Sequence, residues 1–238
     1  LTIPLPRLKG NPINAQSISS SASLLWTTGL ILALACPAQA QAPSRAPVNP
    51  EFLKQQAGLG QPPAAKPTVD GHRLGYAPAP LDFSHLRGRR PVAGQPAQAL
   101  PASYDLRPLG RLTPLKNQNP YGTCWAFASL GSLESFLLPG ETSDFSENNL
   151  VNLHGFDLGY DDGGNDSMAI AYLGRWSGPV NESEDPYANG PGHSPPGRLA
   201  RKHVQQALRV AVKSNALDNA AIQEAVMNYG AMYVSMFI

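Results

Sequence analysis

Cysteine is scarce in this sequence, with only Cys36 and Cys124 among 238 residues. So few cysteines exclude a small domain held together by several disulfides. Cys36 lies within a segment that has the features of a signal peptide, so an exported and processed chain would keep Cys124 alone. A lone thiol in an oxidising compartment either pairs with another molecule or is kept free for chemistry. Cys124 is therefore the first candidate for a functional residue.

An excess of charge of one sign is also missing. The chain has 18 Lys and Arg against 17 Asp and Glu, which gives a formal net charge of +1. This balance gives no indication of a nucleic-acid partner or of bulk attraction to a membrane surface.

The apolar run from Leu24 to Ala35 is too short to span a bilayer. It follows Arg7 and Lys9 and precedes an Ala-Gln-Ala triplet at 38–40, so residues 1–40 are predicted to be a cleaved signal peptide. The prediction is an exported protein, periplasmic or extracellular, without membrane contact after cleavage. A lipoprotein anchor at Cys36 is the weaker alternative, because the large apolar residue usually found three positions earlier is missing.

Residues 41–100 are rich in proline, alanine and glutamine and contain 10 of the 24 prolines. Such a composition cannot bury a core, and it predicts an extended or largely disordered prosegment or linker. The stretch Leu81–Leu86 is its one amphipathic patch and is a candidate for docking on the folded domain.

The local pattern around Cys124 favours a reactive thiol. A loop with proline and glycine precedes it, and apolar residues then recur at helical spacing until Pro139 and Gly140. Cys124 should lie in the first turn of a buried helix, where unpaired N–H groups and the helix dipole favour the thiolate. The Gln118 amide and the Cys124 N–H could supply two donors to an oxyanion. The alternative is an inert buried cysteine beside a core tryptophan.

Further motifs follow in a fixed order along the chain. They are Leu100–Arg107, Leu112–Gln118, Gly122–Ala128, Phe145–Val151, the pair Gly163-Gly164, and Ser177–Val180 leading to Asp185–Tyr187. From residue 101 to about 187 this series resembles the papain-like cysteine peptidases, and more closely their bacterial exported branch. The signal is specific only when three features are combined: a glutamine six residues before the cysteine, the motif Cys-Trp-Ala-Phe, and the motif Ser-Glu-x-x-Leu-Val.

The resemblance implies an α+β fold with two lobes in residues 101–238. The helical lobe, at about 115–185, is largely present, whereas the β-barrel-like lobe is incomplete and is represented by 101–114 and the tail from about 205. The implied function is a cysteine endopeptidase that hydrolyses polypeptides through a thioester acyl-enzyme, without a cofactor.

The resemblance also assigns site residues. Cys124 would be the nucleophile and Gln118 would stabilise the tetrahedral oxyanion. Gly163 and Gly164 would pair with an extended substrate, and Trp125 would also be a substrate-binding residue.

Two departures from the family pattern stand out. The usual disulfide beside the nucleophile is replaced by Tyr121 at one end and by Asp161 or Asp162 at the other. Asn165-Asp166 follows the glycine pair where the family often has an apolar pocket wall, which predicts a more polar pocket for the residue two before the scissile bond.

The family's general base is a histidine followed by an orienting asparagine, expected at about 254–274 from the usual spacing. The chain stops at Ile238, within a predicted strand that begins at Ala231 after a helix capped by Asp218. The expectation is an incomplete record of a longer protein, inactive as given. The histidines after the nucleophile are interpreted as ordinary surface residues: His154, His193 and His203.

Three alternatives remain from the sequence. The clustered oxygens of Asp161–Asp166 suggest a calcium loop, but they lack the alternation of an EF-hand, so no metal site is predicted. A non-catalytic papain-like module that binds peptides or proteins has no need of Gln118 and Cys124. A thiol acyltransferase or transglutaminase-like enzyme would not share this glutamine spacing.

Overall fold

Helices make up most of the regular structure in the computed structural model, which describes residues 46–58, 68–69, 72–86, 100–210 and 213–235. All of these belong to one unit, Ser44–Ile238, and the predicted signal peptide lies outside the described residues. The elements are α1 (Pro50–Gly58), β1 (Thr68–Val69), β2 (His72–Arg73), α2 (Cys124–Leu137), α3 (Glu147–Leu153), α4 (Asp166–Gly174), α5 (Ala220–Tyr229) and 3-10 turns at Ser84–Leu86, Glu182–Glu184 and Tyr187–Asn189.

The core lies between α2, α3 and α4. Helix α2 contributes Trp125 and Leu130, and α4 contributes Tyr172; all three are almost completely buried. A helix that is apolar on most faces must be covered by neighbours, and α3 and α4 provide that cover for α2. None of the helices in the described ranges is long and apolar enough to cross a membrane.

A buried polar cluster fixes the start of α3. Ser146 caps this helix by accepting the Asn149 N–H at 2.9 Å, and its hydroxyl donates to the Asp185 carbonyl at 2.5 Å. The side-chain amides of Asn148 and Asn149 donate to the Asp185 carboxylate at 2.7 and 2.8 Å. Because these donors satisfy the carboxylate, Asp185 can be buried without a cationic partner.

Lys116 joins the loop before α2 to two buried carboxylates. Its Nζ lies 3.2 Å from Glu134 and 2.9 Å from Glu147, each 1% exposed, and 2.7 Å from Asp144 at the surface. Burial raises the pKa of Glu147 to about 7 despite the opposing effect of Lys116. Burial alone would lower the pKa of Lys116, but the carboxylates raise it above its ordinary value. Glu147 belongs to the Ser-Glu motif, which therefore has a structural role in holding the start of α3 against Lys116.

The C-terminal helix agrees with the sequence, but its cap and the following strand do not. The N-cap of α5 is Asn219, while the predicted cap, Asp218, accepts the Ser214 N–H and hydroxyl. Residues 231–235 form no strand, and both backbone groups of Ala231 are bonded to serine side chains of α2. The rest of the predicted strand, 236–238, lies outside the described residues.

Part of the proline-rich region, which the sequence predicts to be largely extended or disordered, is helical. Helix α1 begins at Pro50, a favourable first helical residue, and the Asn49 side chain accepts the Glu51 N–H at 3.0 Å. Asn49 also donates to the Ala79 carbonyl at 2.9 Å. Residues 74–83, called the 74–83 segment below, are thus tied to the chain beside α1.

The raised pKa of Glu147 gives a stability prediction. A carboxyl whose folded-state pKa lies above its unfolded value stabilises the fold below its ordinary pKa near 4.5, and this contribution is lost as pH rises through about 7. Urea unfolding of the wild type and of Glu147→Gln should therefore show that the wild type loses stability relative to the variant between pH 5 and pH 8.

Glu141→Gln is the matched control. Lys202 lowers the pKa of this exposed carboxyl below that window, so the substitution should leave the pH slope unchanged. His154, whose pKa burial lowers, contributes an opposite slope but is present in every variant and cancels in the difference. Equal slopes for wild type and Glu147→Gln would mean that Glu147 is ionised throughout this range.

Candidate active site

Cys124 is the first residue of α2, as the sequence predicts. It is a free, partly exposed thiol. The first N–H groups of a helix have no acceptor within it, and the preceding residue, Thr123, makes no side-chain capping bond. Its hydroxyl instead lies 2.6 Å from the Tyr187 hydroxyl. The Thr123 side chain therefore does not occupy the backbone N–H groups in the first turn of α2.

The loop that leads to Cys124 is fixed at several points. The Gln118 side-chain amide donates to the Tyr121 carbonyl at 3.0 Å, and the Tyr187 hydroxyl donates to the Gln118 carbonyl at 2.7 Å. The Gly122 N–H donates to the Asp161 carboxylate at 2.7 Å. These bonds place Gln118 in the loop directly before the helix.

The two positions where the family's disulfide is missing are tied by other contacts. Asp161 accepts the Gly122 hydrogen bond, and the Tyr121 ring packs edge-on against Tyr160 with centroids 5.0 Å apart. One hydrogen bond and one aromatic pair thus connect the same two loops that a disulfide would have joined.

The glycine pair lies against the tryptophan of the nucleophile motif. Gly163 has a positive φ of 85°, and a Cβ on Gly164 would overlap the Trp125 indole ring. Trp125 is 1% exposed, and its Nε1 has no hydrogen-bond partner among the described residues. Its contact with the site is therefore made through the backbone of Gly164.

The backbone of Gly164 is already paired with the 74–83 segment. The Gly164 N–H donates to the Gly75 carbonyl and the Ala77 N–H donates to the Gly164 carbonyl, both at 2.8 Å, in a parallel bridge centred on Tyr76. Gly75 also touches Gly122, two residues before Cys124, so closely that a Cβ on Gly75 would overlap the Gly122 carbonyl.

Asn165 and Asp166, which the sequence predicts to make a polar pocket, have defined partners. The Asn165 oxygen caps α4 by accepting the Ser167 and Met168 N–H groups, and its amide donates to Ala77 and Pro78 carbonyls of the 74–83 segment at 3.1 and 3.3 Å. Asp166 forms an ion pair with Arg209 at 2.6 Å.

The interpretation of His154 as a surface residue is wrong. It is 4% exposed, its ring lies edge-on to Trp125 at 5.9 Å, and its Nδ1 accepts the Phe156 N–H at 3.0 Å. Burial lowers its pKa, and nearby Arg175 acts in the same direction. His203 stacks on the ring of Trp176 at 4.3 Å.

Several residues that shape the site were not identified from sequence. The sequence shows Lys116 and Tyr187 only as parts of longer motifs, and it gives no signal for Arg209. The sequence connects Asp161 only with the missing disulfide and with a calcium loop. Among the described residues, no group of three or more His, Cys, Asp or Glu side chains is arranged to hold a metal ion.

Comparison with known proteins supports the resemblance to papain-like cysteine peptidases. Residues 100–238 match the family described as papain family cysteine protease. A viral cathepsin of Heliothis zea nuclear polyhedrosis virus is 30% identical over 149 residues, which are 62% of this chain and 40% of that protein. Chymomexicain of Jacaratia mexicana is 37% identical over 93 residues, 37% of this chain and 41% of that protein. This chain thus spans less than half the length of these curated relatives.

A solved structure is also similar. It contains the cysteine protease and lectin-like domains of Cwp84, a surface layer associated protein of Clostridium difficile, and aligns with a TM-score of 0.49 and 21% identity over 76% of this chain and 38% of that one. The family match alone covers more than half of the sequence and confirms the predicted papain-like α+β fold. The chain belongs to the papain family of cysteine proteases.

Proposed function

We propose that this protein is a cysteine endopeptidase in which Cys124 is the nucleophile. The supporting observation is that Cys124 begins helix α2 next to Trp125, whose ring lies against Gly164, and that the backbone of Gly164 is already paired with another stretch of chain. Peptide hydrolysis through an acyl-enzyme requires a thiol at the open end of a helix and, near it, backbone groups that can pair with an extended chain; the surface beside Gly164 that offers these groups is called the groove below.

The proposed reaction has two halves. The Cys124 thiolate attacks the scissile carbonyl carbon, a C–S bond forms, and the carbonyl oxygen becomes an oxyanion held by the Cys124 N–H and the Gln118 amide. The C–N bond then breaks, and the leaving amine takes a proton from the general acid. Water then gives one proton to the general base and attacks the thioester carbon; the C–S bond breaks, the carboxylic acid is released and Cys124 returns as the thiolate.

The remaining site residues have binding or positioning roles in this proposal. Gly163 and Gly164 pair with the backbone of the substrate, and Trp125 positions Gly164 by packing beneath it. The general base is assigned to a histidine at the family spacing after Cys124, outside the described residues. His154 is a poor candidate, because its ring is buried and its Nδ1 is bonded to Phe156 N–H.

Export is the proposed route for the chain. Residues 1–40 carry the basic start, apolar stretch and small-residue site of a signal peptide. N-terminal sequencing of the mature protein should give Gln41 as its first residue.

We also propose that the 74–83 segment is a prosegment that blocks the groove. Its backbone uses the N–H and carbonyl of Gly164 that a substrate would need, and Gly75 lies against Gly122 beside the nucleophile. It lacks the long charged helices of many family prosegments and relies on backbone pairing instead.

Two substitutions test the catalytic proposal in the protein expressed from its complete reading frame. Cys124→Ser should abolish hydrolysis of a fluorogenic peptide. Gln118→Ala should lower kcat by about 10²–10³-fold, the usual effect of removing one oxyanion donor, while alkylation of Cys124 by iodoacetamide persists.

Asn117→Ala, one residue from Gln118, is the matched control and should retain activity. A wild-type protein that binds peptides without cleaving them would favour the non-catalytic binding module. Unchanged kcat in Gln118→Ala would remove that residue from the oxyanion site.

The blocking proposal predicts the behaviour of Gly75→Ala. The added Cβ would overlap the Gly122 carbonyl, so the segment should leave the groove and Cys124 should be alkylated several-fold faster. Gly58→Ala is the control, because a Cβ at Gly58 meets no atom within 4 Å.

Hydrogen exchange separates release of the segment from unfolding. In Gly75→Ala the Ala77 and Gly164 amides should lose protection, while amides within α2 keep theirs. Equal alkylation rates in Gly75→Ala and wild type, with the Ala77 amide still protected, would contradict the blocking proposal.

A further inference from the structure

One phenol hydroxyl connects the two parts of the chain that carry the proposed oxyanion donors. The Tyr187 hydroxyl donates to the Gln118 backbone carbonyl at 2.7 Å. It also lies 2.6 Å from the hydroxyl of Thr123, the residue directly before Cys124. Because Gln118 lies at the start of the loop that leads to α2 and Thr123 at its end, Tyr187 links the two ends of this loop.

The directions of these two hydrogen bonds follow from the number of protons. A phenol has one O–H, and because the Gln118 carbonyl can only accept, that proton is given to Gln118. The Thr123 hydroxyl must therefore donate to the Tyr187 oxygen. Burial raises the pKa of Tyr187 to about 12, so the phenol keeps its proton at neutral pH. Thr123 is fully buried, which makes an unsatisfied hydroxyl at this position costly.

We propose that Tyr187 is a positioning residue for the oxyanion site. Its hydroxyl holds the Gln118 backbone at a fixed separation from the start of α2, so that the Gln118 side-chain amide and the Cys124 N–H can bind one oxygen atom together. This inference rests on the proposed function in one respect, since it takes Gln118 and Cys124 as the two oxyanion donors. Tyr187 acts through Gln118 and touches no reacting atom in this role.

The Gln118 carbonyl is the fixed point of this arrangement. It accepts the Tyr121 N–H at 3.1 Å in addition to the Tyr187 hydroxyl, and the Gln118 side-chain amide donates to the Tyr121 carbonyl at 3.0 Å. These local bonds give the turn at 118–121 its shape, but they do not set its distance from α2. Lys116 restrains the loop before Gln118, whereas Tyr187, 69 positions further along the chain, acts at Gln118 itself.

Tyr187 is itself held from two sides. Its N–H donates to the Glu182 carboxylate at 2.7 Å, and its ring packs edge-on against Phe127 of α2 with centroids 4.9 Å apart. Asp185, two residues earlier, is bonded to the start of α3. A site keeps its geometry when packing and further hydrogen bonds fix the residues that support it, and α2 and α3 provide both for Tyr187.

Tyr187→Phe removes the hydroxyl and keeps the ring on Phe127. In the protein expressed from its complete reading frame, kcat for a fluorogenic peptide should fall by about 10- to 10²-fold with KM changed less than about two-fold, because one donor is displaced rather than removed. Adding Tyr187→Phe to Gln118→Ala should cause no further loss. Two losses that multiply would mean that Tyr187 acts independently of Gln118 and would overturn the proposal.

Tyr172→Phe is the matched control. It removes another tyrosine hydroxyl, one that donates to Asn149 at 2.6 Å in the buried contact between α4 and α3, so it should lower stability without lowering kcat. Thr123→Val should lower kcat in the same direction as Tyr187→Phe, and Thr123→Ser, which restores the donor, should recover most of the loss. A loss of kcat in Tyr172→Phe equal to that in Tyr187→Phe would show a general effect of destabilisation and overturn the positioning role.

Hydrogen exchange gives a readout that does not require hydrolysis. In Tyr187→Phe the Tyr121 amide, which is bonded to the Gln118 carbonyl, should exchange about two- to ten-fold faster, the range for loss of one neutral hydrogen bond, while amides in the middle of α2 keep their protection. If the wild type is active and Tyr187→Phe keeps its kcat, the inference is overturned and the proposed function stands. If the wild type cleaves no peptide, the proposed function fails, and the exchange rate of the Tyr121 amide decides whether the hydroxyl holds the loop.

Discussion

The active-site region depends on the contact of Lys116 with two buried carboxylates. Its ammonium group reaches Glu134 in the middle of α2 and Glu147 at the start of α3, and so fixes the loop that ends at Cys124. A buried ion pair is weak support for net stability, but removing one partner typically costs about 3–5 kcal/mol because it leaves an uncompensated charge. Lys116 therefore holds the loop before α2, helix α2 and the start of α3 in one arrangement.

The same loop is held from its other side by weaker contacts. In place of a disulfide, Asp161 accepts the Gly122 N–H and Tyr121 packs on Tyr160. A hydrogen bond to a carboxylate contributes about 1.5–3 kcal/mol and needs no oxidising compartment. The loop before Cys124 is therefore ordered without a disulfide, because Asp161 and Tyr121 each contact a residue of the opposite loop. Cys124 thereby has no nearby thiol with which to pair in this part of the structure.

Sequence reasoning succeeded where the controlling interactions are local. The start of α2 at Cys124 follows from a loop and a helical apolar pattern within 20 residues, and α5 follows from similar signals. It failed where distant residues decide. The burial of His154 depends on Trp125, and the ion pair of Asp166 depends on Arg209, 43 positions later. The bridge between Tyr76 and Gly164 joins residues 88 positions apart, and no spacing rule reaches that far.

Gly75 lets the 74–83 segment pass closer to Gly122 than a residue with a side chain could. Because a Cβ at this point would overlap the Gly122 carbonyl, a peptide with any larger residue there cannot adopt the same register against Gly164. Under the proposed function, a substrate with a larger residue at this point would pair with Gly164 along a different path. The segment and a substrate would compete for the hydrogen bonds of Gly164 without presenting the same atoms to Cys124. A chain bound in this way can occupy the groove without being positioned for attack.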